Sequence, residues 1–208
     1  MASEAVTSTV RVWDPLIRTG HWVLVVGFAT AYLTEGDPSW LHSFAGYAIA
    51  VTVSLRIIWG FVGPRHARFA DFVTSPARVL RYLRDLVSGR AERHVGHSPA
   101  GGAMTVALLI ALTMTALSGM ATLAVEEGKG PLAGIVTAQN LPGWAIEDAQ
   151  GGHDEEDSSE VFEELHELAA NATVLLIFMH IAGVAWASRA HGENLVRAMI
   201  TGRKRAAD

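Results

Sequence analysis

The chain has 208 residues, half of them hydrophobic, a formal net charge of −5 and no cysteine. Without thiols it holds no cysteine-ligated iron–sulfur cluster, no covalently attached c-type haem, no disulfide and no thiol nucleophile. The length suits one domain, soluble or membrane-bound, and the placement of the apolar residues decides between the two.

Residues 1–15 lack the basic start, short apolar core and small-residue cleavage site of a secretory signal, so the first helix is expected to be retained. Residues 10–18 read as a short interfacial lead-in, with Trp13 suited to the headgroup zone. The first apolar stretch, 16–34, carries Arg18 near its start, which puts the beginning of its membrane part near Gly20. Residues 35–39 allow only a tight connection, so the second stretch, 40–62, returns as an antiparallel neighbour. In the segment 67–99, Val79, Leu80, Leu83, Leu86 and Val87 make an apolar stripe with arginines elsewhere. That pattern suits a helix lying on a membrane leaflet; a solvated helix packed on the bundle is the plainer alternative. The third stretch, 101–125, leads into an acidic, Gly-rich segment, 126–164, expected to be partly disordered without a partner. The fourth stretch is 165–188. All four approach or exceed the ~20 residues that cross a hydrocarbon core of ~30 Å. Trp22, Trp40, Trp59 and Trp186 fall near helix ends, as an interfacial aromatic belt requires. The expected fold is all-α: an integral membrane four-helix bundle with an interfacial amphipathic helix between helices two and three. Residues 1–208 are expected to form one domain.

Charge is distributed asymmetrically. Arg65, Arg68, Arg78, Arg81, Arg84, Arg90 and Arg93 crowd the second connection, and Arg189, Arg197, Arg203, Lys204 and Arg205 follow the fourth helix. The third connection instead holds Glu147, Asp148, Asp154, Glu155, Glu156, Asp157, Glu160, Glu163 and Glu164, with Lys129 its only base. An excess of Lys and Arg marks the cytoplasmic side. Both termini and the second connection are therefore expected inside, and the acidic segment outside. Nucleic acid is not among the expected partners.

Ionisable groups inside membrane helices are functional candidates by default. His166 and His180 share the fourth helix, and fourteen residues turn a helix almost four times, so both rings project from nearly one face, roughly 21 Å apart. Depth gives each a mate. His42 starts helix two on the outer side, level with His166, and His21 starts helix one on the inner side, level with His180. Two haems stacked across a membrane, each held by two imidazoles, need this arrangement, and two axial imidazoles leave no open iron site for small-molecule chemistry. Zinc would need three or four clustered ligands, which neither level offers. His66, His94, His97, His153 and His191 read as surface residues of connections and tails. Gly46, one turn after His42, reads as room for a macrocycle; Gly27 and Gly119 read equally well as helix-packing positions. Arg56, near the inner end of helix two, either snorkels to the interface or pairs with a haem propionate.

Several segments are similar to a known family. They are Val12-Trp13-Asp14-Pro15-Leu16-Ile17-Arg18-Thr19-Gly20-His21-Trp22, Leu41-His42-Ser43-Phe44-Ala45-Gly46-Tyr47, Arg56-Ile57-Ile58-Trp59-Gly60 and Gly96-His97-Ser98-Pro99-Ala100-Gly101-Gly102. Together with the His166…His180 pair they resemble the bacterial cytochrome b561 family, which includes the b-type subunits of nickel–iron hydrogenases. The resemblance runs over nearly the whole chain, is most specific in the first two helices and is weakest across 126–164. It implies a four-helix core, two b haems on those four axial histidines, and electron exchange with the quinone pool.

The leading expectation is a di-haem b-type cytochrome of the bacterial inner membrane, moving electrons between the quinone pool and a periplasmic redox partner. A basic c-type cytochrome, steered by the acidic segment, is one such partner; an oxidoreductase subunit is another. The alternatives are a stand-alone quinone oxidoreductase using a small reductant such as superoxide, a membrane anchor for a hydrogenase or other dehydrogenase, and a haem-free bundle. A homodimer is left open. Arg18, Arg56, Arg189 and His191 are the polar residues considered for a quinone pocket.

Overall fold

The computed structural model describes residues 8–35, 37–136 and 154–206. Four of its helices are long and apolar enough to cross a membrane: α1 (Pro15–Thr34), α2 (Ser39–Val62), α5 (Pro99–Glu127) and α6 (Asp154–Ala190, with the span Glu160–Ala190). Between α2 and α5 lie a 3₁₀ turn at Arg65–Ala67, the short α3 (Phe69–Phe72) and α4 (Pro76–Val87). After α6 come α7 (Leu195–Thr201) and a strand, β2 (Arg203–Arg205), which pairs with β1 (Thr9–Arg11).

The helix starts follow ordinary capping chemistry. Asp14 Oδ1 accepts hydrogen bonds from the amides of Leu16 and Ile17, at 2.9 and 3.1 Å, just ahead of Pro15 in the first turn of α1. Both features are favoured at a helix N-terminus. The fourth spanning helix differs from expectation, because it begins at Asp154 rather than near 165. Acidic residues suit a first helical turn, where unpaired amides present positive charge, and glutamate propagates a helix well. The acids from Asp154 to Glu164 therefore belong to a helix. Glu147, Asp148 and His153 lie outside the described residues, as does the part of the acidic segment where order was in question.

The described chain divides into two compact units, one of Met1–Val25, Thr52–Leu108 and Leu176–Asp208, the other of Val26–Val51 and Leu109–Leu175. In the first, Val12, Trp13, Ile17, Ala67 and Ala198 form a small apolar core, with Trp59, Val95 and Met199 against it. Trp13 is thus buried rather than set at a headgroup surface. The second unit buries Phe28, Ala45, Ile49, Leu109, Leu112, Ala121, Ala124 and Thr173. Large apolar side chains remain exposed along all four long helices, including Leu33, Phe44, Phe61, Ile110 and Phe178. Hydrocarbon-facing helices tolerate this; water-facing ones do not.

The amphipathic α4 is present, but it does not lay its apolar stripe on the protein. Leu80, Leu83 and Val87 are exposed, whereas Tyr82 is buried and its hydroxyl lies 3.2 Å from His191 Nε2. The helix thus rests on the protein through Tyr82, as the plainer alternative of a solvated helix packed on the bundle also has it, and Leu80, Leu83 and Val87 of its stripe stay uncovered.

The two strands were not legible in the sequence. Thr9, Val10 and Arg11 pair antiparallel with Arg205, Lys204 and Arg203. Gly202 makes the approach possible: it ends α7 in the left-handed region, at φ 77°, and a Cβ there would lie 2.7 Å from the Trp13 carbonyl. Lys204 is buried, its ammonium 2.8 Å from the His94 carbonyl and 3.3 Å from Glu193 Oε2. Arg93 Nη2 takes the other oxygen of Glu193 at 2.5 Å, while its Nη1 donates to the Ala206 carbonyl. Burial would raise the Glu193 carboxyl, but the bonds and charges of Arg93 and Lys204 outweigh it and hold the group below the usual glutamate range. A depressed carboxyl stabilises the folded form above the ordinary glutamate value of about 4.3 and loses that contribution as pH falls through its own lower value. Removing one member of a largely buried ion pair costs about 3 kcal/mol. Glu193→Gln is expected to release β2 from β1, read as faster amide hydrogen exchange at residues 203–205. In the unsubstituted protein, acidification should reproduce that release.

Candidate functional site

The four histidines of the spanning helices fall into two pairs, one in each unit. His42, in the first turn of α2, has its ring centre 6.0 Å from that of His166 on α6, with the planes at 72°. His21, on α1, lies 6.4 Å from His180 on α6, with the planes at 51°. These are the level-matched pairs expected from depth.

In the first pair the tautomers are set by backbone. His42 Nδ1 is 2.9 Å from the carbonyl of Ala31, in the last turn of α1, which also accepts from the Thr34 hydroxyl at 3.0 Å. His166 Nδ1 is 2.9 Å from the Thr115 carbonyl on α5 and 3.3 Å from the Ser118 hydroxyl. A carbonyl can only accept, so each Nδ1 carries the proton and each Nε2 keeps a lone pair. Metal-binding imidazoles are commonly oriented this way.

Gly119 lies against a candidate ligand, a contact that the sequence did not single out. A Cβ on it would lie 2.7 Å from His166 Cε1 and 2.9 Å from its Nδ1. Glycine here leaves the Thr115 carbonyl, one turn back on α5, open to the ring. Gly27 behaves as a packing position, because a Cβ would meet Ile49 Cγ1 at 3.2 Å. At Gly46 and Gly183 a Cβ would meet no protein atom within 4 Å. Close helix packing therefore does not account for glycine at either place. Thr173, fully buried on α6, sits with its hydroxyl 3.3 Å from that of Thr115.

Around His21 the polar atoms are less satisfied. His21 Nδ1 is shielded from solvent and has no hydrogen-bond partner. Arg56 does not snorkel: it is 9% exposed, with its guanidinium carbon 5.3 and 5.8 Å from the ring centres of Phe69 and Phe72. Its Nη1 is buried and unpartnered. His97 corrects the sequence reading. It is no surface residue, because its ring stands 4.6 Å from Trp13 and 4.3 Å from Phe72, with Nδ1 shielded and unbonded. Burial first, then the positive charges of Arg56 and Lys204, push its pKa down to about 3. Three other connecting histidines are also engaged, His66 with Asp71 at 3.0 Å, His94 with the Glu92 carbonyl at 3.0 Å and His191 with Tyr82. Of the remaining polar residues considered for a quinone, Arg18 bonds the Ile200 carbonyl, and Arg189 lines a groove with Leu86, Val87, Ala182, Ala185 and Trp186. Among the described residues, no three His, Asp or Glu side chains cluster as a metal-binding group.

A family model described as prokaryotic cytochrome b561 matches residues 12–202. The chain belongs to that family. It is thus a multi-pass membrane b-type cytochrome, it binds b-type haem, and its work is electron transfer. Among its relatives, the probable Ni/Fe-hydrogenase B-type cytochrome subunit of Rhodobacter capsulatus is 26% identical, the match covering 94% of this chain and 78% of the relative. The protein of the same description from Bradyrhizobium diazoefficiens is 25% identical over 96% of this chain and 87% of its own length. That from Azotobacter chroococcum is 26% identical over 67% and 68%. No solved structure matches.

The residues fit a b-type haem on observations independent of the family. A first-row metal bound by imidazole sits about 2.0 Å from the nitrogen, so one iron between two rings puts their centres about 6 Å apart. Both pairs meet that separation. An edge-to-face ring contact spans the same range, but it gives no reason for the engaged Nδ1 of His42 and His166, which leaves each Nε2 with a free lone pair. The open space at Gly46 and Gly183 suits a macrocycle. Forcing a methyl group against an ordered ring costs about 1–3 kcal/mol. Gly119→Ala is therefore expected to displace the His166 imidazole and lower bound haem, measured as haem absorbance per mole of protein. Unchanged haem content would mean the ring yields freely and Gly119 has no part in the site.

Proposed function

We propose that this cytochrome holds two b haems, one between His42 and His166 and one between His21 and His180, and moves electrons between the quinone pool and a redox partner outside the membrane. Each haem supplies a one-electron ferric–ferrous couple. The observation that carries this reading is the recurrence of one geometry, two imidazoles with centres about 6 Å apart. The Ala31 and Thr115 carbonyls hold their imidazoles with Nε2 as the free donor. Gly46 leaves room beside His42, and Arg56 offers a buried cation to a propionate. With ligands on both faces no iron site remains for a substrate, so the chain acts as a conductor within one membrane domain. The excess of Lys and Arg supports a cytoplasmic location for both termini and for α4. On that side the exposed stripe of Leu80, Leu83 and Val87 enters the inner leaflet while the arginines meet its headgroups.

For the partner, the relatives' names favour an oxidoreductase of the hydrogenase kind, for which this chain is the membrane cytochrome. The acidic start of α6 instead favours a basic c-type cytochrome drawn in by charge.

Pyridine haemochrome analysis is expected to give two haems per chain, all removable by acid–acetone. His42→Ala should lose one haem and spare the spectrum of the other; His21→Ala should lose the complementary one. If removing His42 eliminates the haem that depends on His180, the pairing is wrong. For the partner, screening over about 8 Å at physiological ionic strength makes steered association fall with salt. Neutralising Asp154, Glu155, Glu156 and Asp157 together should slow haem reduction or oxidation by a basic cytochrome in stopped flow and flatten its salt dependence. Rates indifferent to both leave the hydrogenase-type partner as the better reading.

A further inference from the structure

Two of the buried polar atoms without partners belong to residues that share one aromatic wall. The Arg56 guanidinium lies over Phe72, and the His97 ring packs 4.3 Å from that same phenyl group. Arg56 Nη1 and His97 Nδ1 are both shielded from solvent and bonded to nothing. An unpaired buried guanidinium is unfavourable enough to require an anion nearby.

The acids in reach are already committed. Asp14 Oδ1 caps α1 through the amides of Leu16 and Ile17, and its Oδ2 accepts from Trp59 Nε1 at 3.3 Å. Asp71 gives one oxygen to Arg65 at 3.3 Å and the other to His66 at 3.0 Å. The charged and titratable groups acting on His97 are Arg56, Lys204, Asp71 and His66, with a net effect that keeps its imidazole neutral through the physiological range. The Arg56–His97 site therefore offers one fixed positive charge and one neutral N–H donor. That set matches a singly charged planar oxyanion, which an arginine fork binds in two-point fashion. A neutral carbonyl would add no charge to the attraction that Asp14 exerts on Arg56 through space.

Level points to the source. A Cβ on Gly20, beside His21, would meet Thr52 Cγ2 at 3.4 Å, so Thr52 stands level with that end of α1. Arg56 follows one turn later on α2, about 6 Å along the axis. We propose that Arg56 and His97 form one carboxylate-binding pair and that its ligand is a propionate of the haem held by His21 and His180. This rests on the two-haem reading and extends it to a residue outside the spanning helices. A lipid phosphate is the competing oxyanion.

The test uses the holoprotein carrying haem with ¹³C at its propionate carboxyls, and reads redox-induced infrared difference spectra and the midpoint potential of each haem. Removing a positive or hydrogen-bonding partner from a propionate favours the ferric state. Arg56→Gln and His97→Leu should each shift the labelled carboxylate bands and lower the potential of the His21–His180 haem, leaving the other haem unchanged. His97→Gln, which keeps a donor, should restore both readouts. Arg56→Lys, which keeps the charge without the fork, should still shift the bands, and it serves if the neutral and apolar changes prevent assembly. Labelled bands that ignore these substitutions while both haems are present overturn the proposal. Phosphate bands that respond in their place overturn it in favour of a headgroup. Unsubstituted protein lacking the His21–His180 haem would remove the ground for both readings, and the haem count shows that separately.

Discussion

The hydrogen bond between an imidazole Nδ1 and a backbone carbonyl governs much of this molecule. A histidine in an apolar helix can rotate about its side chain, protonate or present either nitrogen, and only one of these states is useful as a ligand. The carbonyls of Ala31 and Thr115 select that state for His42 and His166. The choice of acceptor then constrains the surrounding chain. The Ala31 carbonyl stands in the last turn of α1, where it also accepts from the Thr34 hydroxyl at 3.0 Å. Position 119 must lack a side chain for Thr115 to be reachable. Two features far apart in sequence, a helix terminus and a glycine, thus serve one pair of rings.

The rings near His21 follow a different logic. Backbone does not satisfy its Nδ1, and Arg56 and His97 of the same unit also have unfilled hydrogen-bonding capacity. Polar atoms buried without partners destabilise a protein that stands alone, which is the ground for the carboxylate proposed between Arg56 and His97. One histidine pair is oriented by the polypeptide before any ligand arrives. Around the other, the polypeptide leaves polar atoms of His21, Arg56 and His97 without partners.

What the sequence revealed divides along the same line as the physics. Four long apolar runs report membrane helices because a bilayer core demands length and hydrophobicity and little else. The histidine pairing was legible because helix rise converts residue number into depth. The start of α6 at Asp154 was missed because acidity was read as irregular structure, although carboxylates favour a helix N-terminus. Three-residue strands of Thr, Val, Arg and Lys carry no periodicity to detect, so β1 and β2 stayed hidden. His97 was misread because burial in a connecting segment depends on Trp13 and Phe72, neither of them close in sequence. Gly119 was recognised as a small residue in a helix, but only the ring resting on it shows its purpose.

The pairing of β1 with β2 carries a consequence for how the chain is made. Thr9 meets Arg205, so the lead-in to α1 must wait, unpaired, until nearly every other described residue has been synthesised and all four long helices have entered the bilayer. Contacts this distant in sequence close late, because chain entropy opposes them until intervening segments are fixed. Through most of synthesis the Val12 and Trp13 amides lack the Gly202 carbonyl that later accepts from them. The small core on Trp13 likewise lacks Ala198. The strap is therefore a record of completed insertion. A chain with a spanning helix lodged the wrong way would have these two ends on opposite faces of the membrane, with no means of joining them, and would expose that error as an unfastened N-terminal segment.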